Sequence, residues 1–225
     1  VHLAEGELHV WIAGLDVADH DLDGLLSPQE RERARGFLRA RDARRWEASR
    51  GLLRLLLGEY LGADPRALVF RAGEHGKPRL AGSNGALRFN LSHSGAIAVY
   101  AVALGVEVGV DVEGPRRRRF DALAVAERAF GTAVAVRLAR LGEAEREREF
   151  RRLWVRHEAA LKCVGVGLGG GAKASADNRA CWTMDIDAGR LAAAAIAAPR
   201  EPARVKRWCL DAAGCGPERG RARLR

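Results

Sequence analysis

The stretch from Ser27 to Leu61 constrains the fold more than any other part of the chain. Ser27-Pro28-Gln29-Glu30 starts a helix. Serine as N-cap, proline at the first helical position and glutamate three residues on form a capping box. The pattern predicts helix, with breaks, to about Leu61, where Gly62-Ala63-Asp64-Pro65 stops it. Leu52, Leu53, Leu55, Leu56 and Tyr60 give the second half a wide apolar face, so this helix must be buried. Alternating or apolar runs supply strands to cover it: LHVWIA within 1–15, then 68–71, 87–91, 97–104, 106–112, 182–187 and 205–210. Ser92-His93-Ser94-Gly95 reads as a turn, and Gly105 as a tight antiparallel connection between its two flanking strands. Two more helices are predicted over 121–141 and 143–164, the second ended by Gly165 and Gly167.

The order strand, helix, strands, helices, strands is α+β, not a regular βαβα alternation. A length of 225 residues suits one large domain or two small ones. The pattern divides near 104–109, giving halves 1–105 and 106–225.

Composition narrows the class. Hydrophobic residues at 48% and charged residues at 30% are globular values and exclude a disordered tail. No apolar run approaches the roughly 18 residues of a membrane span. The start lacks a basic segment followed by an apolar one, so a cytoplasmic protein without a secretory signal or membrane contact is expected. Cys163, Cys181, Cys209 and Cys215, spaced by 18, 28 and 6, match no zinc template or disulfide framework, and reduced thiols are expected. The net charge of +9 favours anionic partners, among them nucleic acid, phosphorylated small molecules and acidic proteins. A nucleic-acid module would interleave aromatics with its basic residues. Only 6% of residues are aromatic and most fall in apolar patterns, so no nucleic-acid partner is expected.

Four constellations carry polar chemistry. In Gly109-Val110-Asp111-Val112-Glu113 the strand period puts Asp111 and Glu113 on one face. Two carboxylates there suit a hard cation such as Mg²⁺, or form the solvated side of an edge strand. In Trp154-Val155-Arg156-His157-Glu158-Ala159-Ala160-Leu161-Lys162, Glu158 and Lys162 share a helix face, as an ion pair or as a carboxylate and ammonium facing a metal and a phosphate. Asn90-Leu91-Ser92-His93-Ser94-Gly95 offers donors to an anion, or is a plain turn. Arg41, Arg44, Arg45 and Arg50, with Lys77 in Gly76-Lys77-Pro78, suit phosphate or a solvated face.

Taken in order, R-A-R-D-A-R-R, S-R-G-L-L-R-L-L-L, G-K-P, F-N-L-S-H-S-G, G-V-D-V-E and W-V-R-H-E-A-A-L-K-C-V-G-V-G-L resemble the 4′-phosphopantetheinyl transferase superfamily, and within it the surfactin-synthetase-activating type. The resemblance implies two similar α/β subdomains in pseudo-twofold arrangement, with coenzyme A and Mg²⁺, or Mn²⁺ in its place, between them. It implies a monomer that converts apo acyl or peptidyl carrier proteins of polyketide, peptide or fatty-acid synthesis to the holo form. Asp111, Glu113 and Glu158 would hold the metal, and Glu158 would act as general base. Lys162 would meet the pyrophosphate. Ser92 and His93 would hold coenzyme A phosphates, and Arg41 and Lys77 would contact the adenosine end. The family usually has lysine where His157 stands, which makes His157 a phosphate contact whose charge depends on pH. The family also closes with an apolar stretch after a tryptophan strand, whereas here Trp208 is followed by the polar tail 212–221. These departures define an alternative, a degenerate member that binds coenzyme A or a carrier with little turnover.

Overall fold

The computed structural model describes residues 1–16, 22–73, 76–82, 86–115, 120–165, 181–189 and 192–210, and the backbone of 220–221. The capping box forms as its residues dictate. Ser27 Oγ accepts from the Glu30 amide at 3.2 Å, and Glu30 Oε2 accepts from the Ser27 amide at 2.9 Å. It opens α1 (Pro28–Arg35), and after a short break α2 (Ala40–Leu61) runs to Gly62, whose φ of 59° ends it. The remaining elements are β1 (Glu7–Gly14), β2 (Phe70–Ala72), β3 (Pro78–Leu80), β4 (Leu87–Ser94), β5 (Ile97–Leu104), β6 (Gly109–Glu113), α3 (Ala122–Phe130), α4 (Thr132–Ala139), α5 (Glu143–Val164), β7 (Trp182–Asp187), β8 (Ala193–Ala198), β9 (Arg204–Cys209) and β10 (Gly220–Arg221). The fold is α+β. No helix among the described residues is long and apolar enough to cross a membrane.

Strand alternation sorts the side chains into layers. One sheet has the order β10-β9-β1-β5-β4, with β1 antiparallel to β5 and parallel to β9. On one of its faces Trp11, Tyr100 and Val102 pack with Leu53, Leu56 and Leu57 of α2. On the other, Leu8, Val10, Val99 and Ala101 meet Val110, Val112, Ala194 and Ile196 of a second sheet, β6-β8-β7. The far face of that sheet offers Ala195 and Ala197 to Val155, Ala159 and Cys163 of α5. The layers run helix, sheet, sheet, helix. Each core leucine contributes roughly 1.5–3 kcal/mol by its burial.

Several sequence expectations change. The strand expected over 87–91 continues to Ser94, and the turn falls at Gly95, with φ 59°. Gly105, with φ 69°, does not close a hairpin, because β5 and β6 lie in different sheets and β6 pairs with β8. The helix expected over 121–141 breaks at Gly131, with φ 90°, into α3 and α4. β8, of sequence AAAIAA, was not expected as a strand. Alanine has low strand propensity and shows no alternation, but small side chains on both faces let α5 and the first sheet approach closely. Cys209 is disulfide-bonded, which overturns the all-reduced expectation, whereas Cys163 and Cys181 are in no disulfide. The polar tail over 211–219 lies outside the described residues.

Candidate active site

Side chains join the two sheets where no backbone ladder does. Asn90, Ser92 and Ser94 project from one face of β4. Asn90 Oδ1 accepts from the Val110 amide at 2.9 Å, Ser92 Oγ from Val112 at 3.4 Å and Ser94 Oγ from Gly114 at 3.0 Å. Every second side chain of one strand thus satisfies every second amide of the other, and each such bond contributes about 1 kcal/mol net. This fixes β6, and with it Asp111, against Ser92. It also explains why N-L-S-H-S stays extended.

On the opposite face of β6, Gly109 and Asp111 look toward α5. The backbone of Ala159 and Cys163 lies directly over Gly109. At that separation Lys162 Nζ donates to Asp111 Oδ1 at 2.6 Å and to Ser92 Oγ at 3.1 Å, while Ser92 Oγ donates to the same Asp111 oxygen at 2.8 Å. Asp111 is buried, with 6% of its side chain exposed, and Lys162 keeps 31%. The second carboxylate oxygen, Asp111 Oδ2, is buried and has no hydrogen-bond partner among the described residues. Leaving such an atom desolvated costs about 1–3 kcal/mol, more when it carries charge. Glu158 presents a buried oxygen, Oε1, one helical turn before Lys162. Glu113 ends β6 half-buried. Among the described residues, no group of three or more His, Cys, Asp or Glu side chains is arranged to hold a metal ion. The structure gathers Asp111, Lys162 and Ser92; it does not gather Asp111, Glu113 and Glu158 into one metal-holding group.

On the other face of β4 lies a groove of about 1010 Å³, walled by α1, α2 and the β2–β3 hairpin. His93 lines it, with Trp46, Arg33, Arg50, Phe70 and Arg71. His93 is open to solvent along the groove; partial desolvation by the groove walls, then the nearby Lys162 charge, holds its imidazole below its usual range. Arg50 and Arg54 pair with Glu30 at 2.8 and 2.7 Å, and their guanidinium carbons stand 4.9 and 5.0 Å from the centre of the Phe70 ring.

Three residues expected at the coenzyme do not line this groove. Arg41 is exposed and bonds Asp16 at 3.2 Å, and it is absent from the residues lining the groove. Arg45 makes the shorter bonds to Asp16, 2.6 and 2.7 Å, and with Arg41 holds that carboxyl down at about 2. Lys77 is also absent from the groove lining and bonds Glu107 at 2.7 Å. His157 packs edge-on against Phe130 at 5.4 Å and beside Trp154 at 6.1 Å, and burial lowers its pKa. Sequence reasoning gave no role to Asn90, Glu107 or Gly109. An asparagine in mid-strand is disfavoured unless its amide is used, and that was the one available signal.

The family pattern described as 4′-phosphopantetheinyl transferase, N-terminal, matches residues 20–104, and that of the 4′-phosphopantetheinyl transferase superfamily matches 107–212. The 4′-phosphopantetheinyl transferase HetI of Nostoc sp. is 36% identical over 171 residues, covering 74% of this chain and 72% of its own length. A phosphopantetheinyl transferase of Thraustochytrium sp. is 33% identical over 188 residues, 76% of this chain and 64% of its own. The 4′-phosphopantetheinyl transferase Sfp of Bacillus subtilis is 29% identical over 143 residues, 64% of this chain and 62% of its own. The two-sheet α+β fold and these matches define a transferase. The chain belongs to the 4′-phosphopantetheinyl transferase superfamily.

Proposed function

We propose that the chain transfers the 4′-phosphopantetheine arm of coenzyme A to a serine of an acyl or peptidyl carrier protein. The observation that carries this reading is the cation–carboxylate–hydroxyl cluster of Lys162, Asp111 and Ser92, which backs onto an arginine-lined groove through one strand. The groove volume is that of a small-molecule cofactor site. His93 and the groove arginines, all within the half 1–105, meet the nucleotide end, and the half 106–225 supplies Asp111, Glu158 and Lys162.

In the reaction the carrier serine oxygen bonds to the β-phosphorus of coenzyme A. The bond from that phosphorus to the bridging oxygen breaks, and adenosine 3′,5′-bisphosphate leaves. Such transfers depend mostly on positioning and charge neutralisation. Lys162 offers its ammonium to the diphosphate. Glu158 takes the serine proton. The orphan oxygen of Asp111 suits a divalent ion, and Asp111, Glu113 and Glu158 would hold one only by drawing together from their present places, where they form no such group. Such an ion, Mg²⁺ or Mn²⁺, supplies further neutralisation of the diphosphate. The chain acts as a cytoplasmic monomer, and its +9 charge suits encounter with an acidic carrier.

A second reading, a member that binds coenzyme A or a carrier but turns over little, is favoured by His157. Its ring is packed among aromatics and held toward the neutral form, so it brings little charge to a phosphate. One experiment separates them: incubation with coenzyme A, Mg²⁺ and an apo carrier, read by mass spectrometry. One added phosphopantetheine mass is expected. Calorimetric binding of coenzyme A with no mass gain on several carriers selects the second reading.

A further inference from the structure

Lys77 has its three protons committed inside the protein. Its ammonium donates to Glu107 Oε2 at 2.7 Å and to the Val108 carbonyl at 2.9 Å, and it reaches the Cys163 carbonyl at 3.5 Å. Only 9% of the side chain is exposed. Its neighbours Gly76 and Pro78 line the groove, while Lys77 itself turns away from it. The carbonyls it holds belong to two segments of consequence. Val108 leads into β6 and Asp111, and Cys163 follows Lys162 in the last turn of α5. An ammonium there also satisfies a carbonyl that the helix end leaves open and meets the negative end of the helix dipole. Glu107 also forms ion pairs with Arg79 at 3.2 Å and Arg88 at 3.3 Å, which ties in β3 and β4.

We infer that Lys77 is a positioning residue. With Glu107 it clamps the hairpin wall of the groove to the two segments that carry Asp111 and Lys162, and it makes no contact with the 3′-phosphate of coenzyme A. The inference rests on the reading of the groove as the coenzyme A site. A wall held at one end and freed at the other presents the ligand in a shifted place, and small shifts of that kind cost affinity for the whole ligand, not for one of its groups.

The test compares coenzyme A with 3′-dephospho-coenzyme A on the wild-type chain, Lys77→Met, Glu107→Gln and the double variant. Calorimetry gives Kd for folded protein, and the transfer assay gives KM and kcat. Both single variants are expected to weaken both ligands by a similar factor, about 10-fold. The preference for coenzyme A over its dephospho form stays, KM moves more than kcat, and the double variant is no worse than Lys77→Met. If Lys77→Met does not fold, Glu107→Gln carries the comparison alone. Loss of the 3′-phosphate preference in Lys77→Met, with Glu107→Gln unaffected, would show a ligand contact and overturn the inference. Unchanged Kd and KM with only a lower Tm would overturn it too, since a mere strut gives that result. A wild-type chain that binds neither ligand sinks the functional reading first; wild-type binding with indifferent variants sinks this inference alone.

Discussion

Gly109 lies under Ala159 so closely that a Cβ built on it would overlap the Ala159 carbonyl oxygen. The neighbour in that overlap is helix backbone, which cannot rotate aside. Gly109→Ala therefore forces α5 off β6, and with it Lys162 off Asp111. A cost at or above the upper end of the usual overpacking range, about 3 kcal/mol, is expected in urea unfolding. Transfer should fall further than stability does, because the helix carries Glu158 and Lys162. A variant with wild-type rate and stability would show that the helix has room to move.

The Asp111–Lys162 pair is asymmetric. Removing the lysine leaves a carboxylate buried, whereas removing the aspartate leaves an ammonium that water still reaches. Breaking a buried pair by taking one partner costs about 3–5 kcal/mol, and the exposure of Lys162 reduces that figure here. Lys162→Ala is expected to lose about 1–3 kcal/mol and Asp111→Ala less, measured by denaturant midpoints. Both should lower transfer at least about 100-fold. Full activity in Asp111→Ala would remove that carboxylate from the reaction.

His9 is buried in a hydrogen-bonded chain. Trp11 Nε1 donates to the Tyr60 hydroxyl at 2.8 Å, so the single hydroxyl proton goes to His9 Nδ1, 2.7 Å away, and His9 Nε2 donates to Glu7 Oε2 at 3.2 Å. Desolvation, against the pull of Glu7, keeps His9 below its ordinary pKa. As pH falls, the unfolded chain takes up this proton first. Stability is thus full above about pH 6.5 and declines below it. Tm should drop between pH 7 and pH 5, and His9→Gln should flatten that slope. His93 and His157, both lowered, act with the same sign, so the slope shrinks without vanishing. An unaltered slope in His9→Gln would clear His9 of any part in it.

Asn90→Ala leaves the Val110 amide buried without its acceptor. A loss of about 1–3 kcal/mol is expected, together with reduced transfer, since β6 then floats against β4. Hydrogen exchange at Val110 gives the direct readout: strong acceleration supports the cross-sheet bond, and unchanged protection removes it.

Much of the fold was legible where one local signal sufficed. The capping box, the glycine stop of α2 and the helix over 143–164 all follow from neighbours in sequence. The i, i+2 rule put Val110 and Val112 on one face of β6, and both pack against the first sheet. Contacts that depend on distant partners were not legible. Alanines of β8 reveal a strand only once α5 covers them, and Ser92 to Ser94 continue β4 because they pair with Ile97 to Val99 of β5 while Ser92 and Ser94 hold amides of β6 and the residue after it. At the site, the motifs singled out Asp111 and Lys162, but their bond to each other, like the commitment of Lys77 to Glu107 and of Arg41 to Asp16, has no signature in spacing.

The parallel pairing of β9 with β1 joins residues about two hundred positions apart, with Trp208 stacked on Trp11 at 4.7 Å. During synthesis β1 emerges about two hundred residues ahead of β9, so its second edge stays bare until β9 has been made. The nascent protein carries that open sheet edge, with Trp11 beside it, through the whole of this interval. Closure of that seam is a late folding event, so chains cut short before β9 expose a surface that invites aggregation.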